Sequence, residues 1–146
     1  MSKSEVGTTG ESDLLTLIAQ MSPSLDDQIW VFVSVHEVSS EYIAKHALGI
    51  FRETEGTTLI VPWETAEEFD VCSEPMARIT LNIHSSLEAV GLTAAVSQAL
   101  ASEAISANFM AGFYHDHIFV PQTAGARAVA CLTPLSAAAD NGVKQA

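Results

Sequence analysis

Residues 48–69 read LGIFRETEGTTLIVPWETAEEF, and residues 110–129 read MAGFYHDHIFVPQTAGARAV. Both stretches follow one pattern: a strand, a tight polar turn, a second strand ending in Val-Pro, and a short helical run. Such self-similarity marks an internal duplication. Glu55-Gly56 centres the first turn, where glycine is expected to supply a positive φ angle, and His115-Asp116 centres the second. Pro62 and Pro121 stop ladder pairing where each helical run begins, because proline has no N–H to donate.

A strand lies upstream of each hairpin. IWVFVSVH puts Ile29, Val31, Val33 and Val35 on one side and Trp30, Phe32, Ser34 and His36 on the other, apolar enough for a central strand. MARITLNIH sets Ala77, Ile79, Leu81 and Ile83 against Arg78, Thr80, Asn82 and His84, so a single face is core. A helix over Ser86–Ser102 is expected to join this second strand to its hairpin. The equivalent stretch of the first copy, EVSSEYIAKH, is much shorter and gives no firm helix. A leucine-rich helix is expected over Asp13–Gln20, ended ahead of Pro23. Each copy thus reads strand, crossover, strand, strand, helix. With one further strand, that order is an α/β (α+β) ferredoxin-like sandwich with antiparallel sheets covered by helices on one face. The expected modules are 12–75, with a shortened crossover, and 76–136, flanked by flexible tails at 1–11 and 137–146.

In the long crossover, Ser85 followed by Glu88 predicts a capping box that starts the helix. Ala89, Leu92, Val96, Ala99 and Leu100 form one apolar stripe; Leu87, Val90, Ala94 and Ala101 form another. A second stripe calls for a second helix, from the duplicated copy or from another subunit, and predicts a homodimer or higher homo-oligomer. Helix-opening amides just after His84 suit a carboxylate, and Gly91 would let a ligand or a neighbouring backbone come close.

With 146 residues, 48% of them hydrophobic and 16% charged, the chain can bury a substantial core. Its formal charge of −12 repels phosphate backbones and anionic bilayers, which argues against nucleic-acid and membrane partners. No apolar run is long enough to span a bilayer, and MSKSEVGTTGESD lacks the apolar centre of a secretion signal, so a cytoplasmic location is expected. Cys72 and Cys131 have no CxxC or Cys/His spacing and read as buried thiols. No nucleophile elbow, HExxH, P-loop or GxGxxG occurs, so no catalytic residue and no cofactor is assigned and the chain does not read as an enzyme. His84, His115 and His117 fit no zinc spacing and read as the border of a pocket; no metal is assigned. Glu64, Glu67 and Glu68 read as a solvated helix face, and Trp30, Phe32, Phe109, Phe113 and Phe119 as core or sheet-interface residues. Arg52 and Glu53 are placed to pair across the first turn.

The stretch ITLNIHSSLEAVGLTAAVSQALASEAISANFMAGFYHDHIFVP resembles the ACT domain, the amino-acid-sensing module found beside aspartate kinases, and the chain is similar to small stand-alone bacterial tandem-ACT proteins from about Leu14 to Leu135. The resemblance implies a regulatory or sensor protein that binds an amino acid or related metabolite, cradled by the loop after the second strand and by the following hairpin. It carries the ligand-binding role onto His84, Ser85, Ser86, Leu87, Glu88 and Gly91, with Asn108 and Asp116 as additions. The contrasting reading is a structural or protein–protein interaction module with no ligand.

Overall fold

The structure, a computed structural model, describes residues 10–143, with side chains described as far as residue 139. The Asp13 carboxylate accepts the Thr16 amide at 2.9 Å and caps helix α1 (Leu14–Gln20) where the leucine pattern predicts it. Strand β1 (Pro23–Val35) is longer than the apolar run that announces it, because its two halves serve different neighbours. Trp30–Val35 pairs with β3 (Thr57–Pro62), and Pro23–Trp30 pairs with β4 (Met76–Leu81) across a register shift between Leu25 and Ile29. β2 (Gly49–Arg52) extends the sheet beyond β3; β6 (Asp116–Pro121) and then β5 (Asn108–Ala111) extend it beyond β4. The order β2-β3-β1-β4-β6-β5, antiparallel throughout, is a palindrome, which is the duplication in physical form. Each half also gains its further strand. Val71 to Ser73 run beside β1, with Ser34 N–H to Val71 O at 3.2 Å and Ser73 N–H to Phe32 O at 2.8 Å, and Pro23–Leu25 supply the same position beside β4.

The first copy does have a crossover helix, α2 (Ser40–His46), which its short sequence left in doubt. Ser39 Oγ accepts the Tyr42 amide at 3.1 Å, and Tyr42 and Ile43 pack on the sheet. A 3₁₀ turn, Trp63–Glu68, follows β3 and buries only Ala66, leaving Glu64, Glu67 and Glu68 in solvent as expected. In the second copy the crossover helix α3 is Leu92–Ser102, shorter than predicted, and the closing helix α4 spans Gly125–Val143. Residues 137–143, expected to be tail, belong to α4, which continues through Pro134 because Ala128 and Leu132 are fully buried and Leu135 and Ala139 pack on the same core. Gly10 and Glu11, also expected to be tail, are held against the loop at Ser85. The rest of those expected tails, residues 1–9 and 144–146, lies outside the described residues.

The helices cover one face over two apolar clusters. The larger sets α1, α3 and α4 on Ala77, Ile79, Leu81, Ile118 and Val120; the smaller gathers Val31, Val33, Leu59, Val61 and Ala66. Each large aliphatic side chain removed from water contributes about 1.5–3 kcal/mol. Among the described residues the opposite face has no helix, yet Ile60 and Phe119 are only 2% and 1% exposed. Curvature covers them: β2 and β5, at opposite edges, approach until a Cβ on Gly49 would lie 3.6 Å from Met110 Cε. Phe32 and Phe119 meet edge to face at 5.2 Å on this surface. Beside them Arg78 reaches Asp26 at 2.7 Å, and Trp30 Nε1–H donates to the same carboxylate at 2.9 Å. Burial alone would raise the Asp26 carboxyl; the Trp30, Gln28 and Arg78 donors outweigh it and hold it below its ordinary value.

Several local expectations change. Phe113 is exposed in a turn, not packed in the sheet, and Cys72 is an exposed thiol. The Glu53 carboxylate accepts the Thr58 hydroxyl, and Arg52 has no ion pair among the described residues. Gly56 does not take a positive φ; among the described glycines only Gly91 does. Gly56 is needed for space, since a Cβ there would sit 3.0 Å from Val35 O.

Candidate functional site

β4 ends at Leu81 opposite Asp116, the first residue of β6, so the sheet delivers the 82–91 loop and the 112–115 turn to one place. Three contacts join them. Ser85, only 9% exposed, donates its hydroxyl to Asp116 Oδ2 at 3.2 Å. His115 Nδ1 lies 3.0 Å from Ile83 O, which makes that nitrogen the donor. The His84 ring sits 5.2 Å from Tyr114 and 6.5 Å from Phe113. Around this junction Leu87, Val90, Phe113 and Tyr114 are 66%, 83%, 65% and 61% exposed, an apolar rim that a freestanding surface would not favour.

The loop is not the start of a helix. Residues 86–89 form a turn closed by Ala89 N–H to Ser86 O at 2.9 Å, Ser86 Oγ accepts the Glu88 amide at 3.2 Å, and α3 begins only after Gly91, at φ 102° with no side-chain cap. The capping box is therefore absent: Ser85 is turned to Asp116, and Glu88 is exposed. Gly91 supplies a left-handed backbone that L residues avoid, and its missing side chain makes room for Leu14, which would stand 3.0 Å from a Cβ. The second apolar stripe is redistributed by the same shift. Leu87 and Val90 fall on the exposed loop, Ala94 and Ala101 stay exposed, and α3 packs its Leu92, Val96 and Leu100 face within its own chain.

Of the sequence-derived residues, Ser85 meets Asp116 and His84 meets the hairpin aromatics at this junction; Ser86, Leu87, Glu88 and Gly91 follow in the same loop, with Gly91 packed against Leu14. Asn108 does not: it opens β5, pairs with Phe119, and lines a cleft of about 230 Å³ at the far end of the hairpin. His117 also leaves the group, because it points from β6 to the helix-free sheet face, with Nδ1 3.0 Å from Thr80 Oγ1. Burial lowers its readiness to take a proton, and the Arg78 and His115 charges add to this against the opposing Asp116. The three histidines thus diverge, and among the described residues no group of three or more His, Cys, Asp or Glu side chains is arranged to hold a metal ion. Sequence reasoning missed Glu11, Phe113 and Tyr114 here, whereas His115, read as a pocket border, does join the hairpin to the loop at the Ile83 carbonyl. Two adjacent aromatics in a predicted turn were the available signal for the rim; nothing marked Glu11.

The junction thus combines main-chain amides of the loop, a carboxylate at Asp116 and exposed apolar side chains. Two ACT-domain family models match the chain in tandem, at residues 9–78 and 76–134. The chain is 41% identical to VC0802 from Vibrio cholerae, a protein of unknown function described as a possible transport protein, with TM-score 0.75 over 84% of this chain and 95% of that one. The regulatory subunit of aspartate kinase from Thermus flavus has the same fold at 10% identity, TM-score 0.60, over 78% of this chain and 96% of that one. The ligand-free counterpart from Thermus thermophilus matches at 12% identity, TM-score 0.58, over 80% and 97%. No curated protein sequence matches the chain.

Proposed function

The chain belongs to the ACT-domain family, and from that premise we propose that it is a non-catalytic sensor for an amino acid or closely related metabolite. ACT domains are regulatory modules, and in this reading the chain is two units, 12–75 and 76–136, with the sensing site in the second. The observation that carries the reading is the Ser85–Asp116 contact, which brings the 82–91 loop and the hairpin turn together at a carboxylate. In this reading Asp116 takes the ligand ammonium, the Leu87 amide and, in place of its present partner Glu11 O, the Ser86 amide donate to the ligand carboxylate, and the His84, Leu87 and Phe113 rim meets its side chain. Glu88 is a second carboxylate within the same loop.

The reading includes self-association as a homodimer or higher oligomer, supported by the exposed rim. Nucleic acid and anionic membrane are unsuited to a chain of charge −12, and no helix among the described residues is long and apolar enough to cross a membrane. Two unpaired thiols suit a reducing, cytoplasmic setting.

A thermal-shift screen with the twenty standard amino acids tests the sensing role, since a ligand that binds only the folded chain raises Tm with its concentration. At least one amino acid should raise Tm, and Asp116→Ala should abolish that rise with the fold intact. The exposed apolar rim favours a second reading, a protein-contact module with no ligand. That reading wins if no amino acid shifts Tm while Val90→Glu abolishes self-association.

A further inference from the structure

The segment Gly10–Ser12 lies on the loop to which the ligand carboxylate has just been assigned. Glu11 N–H donates to His84 O and Ser86 N–H donates to Glu11 O, each at 2.9 Å, so Glu11 pairs with Ser85 as a short parallel strand. Gly10 is packed so closely that a Cβ would stand 2.4 Å from Ser86 N and 2.5 Å from Ser85 C; no side chain fits there. The Glu11 carboxylate turns back on its own segment and accepts the Ser12 and Asp13 amides at 2.7 and 2.8 Å, which leads the chain directly into α1. Leu14, the first residue of α1, then covers Gly91. One continuous stretch of chain therefore touches the loop at both ends, at Ser85–Ser86 and at Gly91.

The consequence concerns the Ser86 amide. It is occupied by Glu11 O, while the Glu88 amide is occupied by Ser86 Oγ, so two of the three amides in the 86–88 turn have partners inside the chain. The pairing of Glu11 to the loop is made of main-chain hydrogen bonds alone, each of modest net strength because water competes for both partners. A carboxylate is a stronger acceptor than a peptide carbonyl and so competes with Glu11 O for the Ser86 amide.

We propose that Gly10–Ser12 is a built-in competitor, a strap that occupies the ligand's carboxylate position on the 84–86 loop and must lift for the amino acid to bind. This rests on the sensing role assigned to the same loop. The free protein holds the site closed, and the apparent affinity is reduced in proportion to the fraction of molecules with the strap lifted. Lifting it breaks the bond from Glu11 N–H to His84 O and frees the entry into α1, so ligand binding is reported at the opposite end of the chain from the hairpin that receives the ammonium.

Each of the twenty standard L-amino acids is titrated by calorimetry into the full chain and into two variants. Gly10→Val cannot approach Ser86, and Glu11→Pro lacks the N–H that His84 O accepts. Amide hydrogen exchange is followed at Glu11 and Ser86 in parallel. The expected result is that both variants bind an amino acid about tenfold or more tightly than the unaltered chain. In the unaltered chain, that amino acid should expose the Glu11 amide to exchange while the Ser86 amide stays protected. Equal or weaker binding by both variants, with Glu11 still protected in the liganded chain, overturns the strap and leaves the sensing role standing. An absence of binding to all three proteins removes the sensing role, and the strap with it.

Discussion

At the scale of single residues, the three histidines of the hairpin region show what sequence spacing can and cannot say. His115 and His117 are two apart, and alternation along a strand would put them on one face; the turn at 112–115 instead sends His115 to the Ile83 carbonyl and His117 to Thr80. Their types were legible and their directions were not, because direction is set by where the strand begins. His117 has a measurable consequence. Its folded value lies below the ordinary histidine value of 6.5, first because burial disfavours the charged ring and then because Arg78 and His115 add positive charge. The unfolded chain therefore binds the proton more readily than the folded one. Stability contributed by neutral His117 is present above about pH 6.5 and declines as pH falls toward and through the lower folded value. Tm measured between pH 7.5 and 5 should fall on the acid side, and His117→Asn should show a shallower fall. Equal slopes for the two proteins would mean that other groups govern the acid response.

At the scale of elements, strands were far more legible than the helix that matters for the site. Alternation announced β1 and β4, and the Val-Pro pairs marked the ends of β3 and β6 correctly, because these signals depend on neighbours within a few residues. The start of α3 was misplaced because Ser85 and Glu88 have the chemistry of a capping box, yet Ser85 finds Asp116, a partner 31 residues away that no local pattern reveals. The C-terminal extent of α4 was hidden for a related reason, since the small and polar residues after 136 read as a tail until Leu135 and Ala139 are seen to pack on the core. Two substitutions separate the alternatives for α3. Gly91→Ala should cost roughly 1–3 kcal/mol, from a positive φ and a Cβ pressed on Leu14. Glu88→Ala should stay within about 0.5 kcal/mol, as for an exposed residue with no capping role. Urea denaturation decides: a loss of ~1 kcal/mol or more at Glu88 with little at Gly91 would restore the longer helix.

At the scale of the whole molecule, a duplicated chain could be two independently stable units or one. The palindromic sheet argues for one, because β1 and β4 lie side by side at its centre and β1 belongs to both halves. The further strand of the second half is the opening stretch of β1 itself, Pro23–Leu25, so neither half can be cut from the chain without leaving a bare edge on the other. The helices are divided unequally: α1, α3 and α4 lie on the larger cluster, while α2 and a single 3₁₀ turn cover the smaller. The first half therefore depends on the second for its stability. Leu132 is fully buried in the larger cluster, and Leu132→Ala should cost about 2–5 kcal/mol through lost contacts and the cavity left behind. Trp63 lies on the first half's side and Trp30 at the seam, paired with Met76 of β4 and 5.3 Å from the Arg78 guanidinium, so tryptophan fluorescence reports the first half and the seam, whereas far-UV circular dichroism is dominated by α3 and α4. In urea, the two signals should move together to a lower midpoint in Leu132→Ala, as a single cooperative transition requires. A fluorescence midpoint that stays in place while the dichroism midpoint falls would show that the halves unfold separately and that the shared central pair does not couple them.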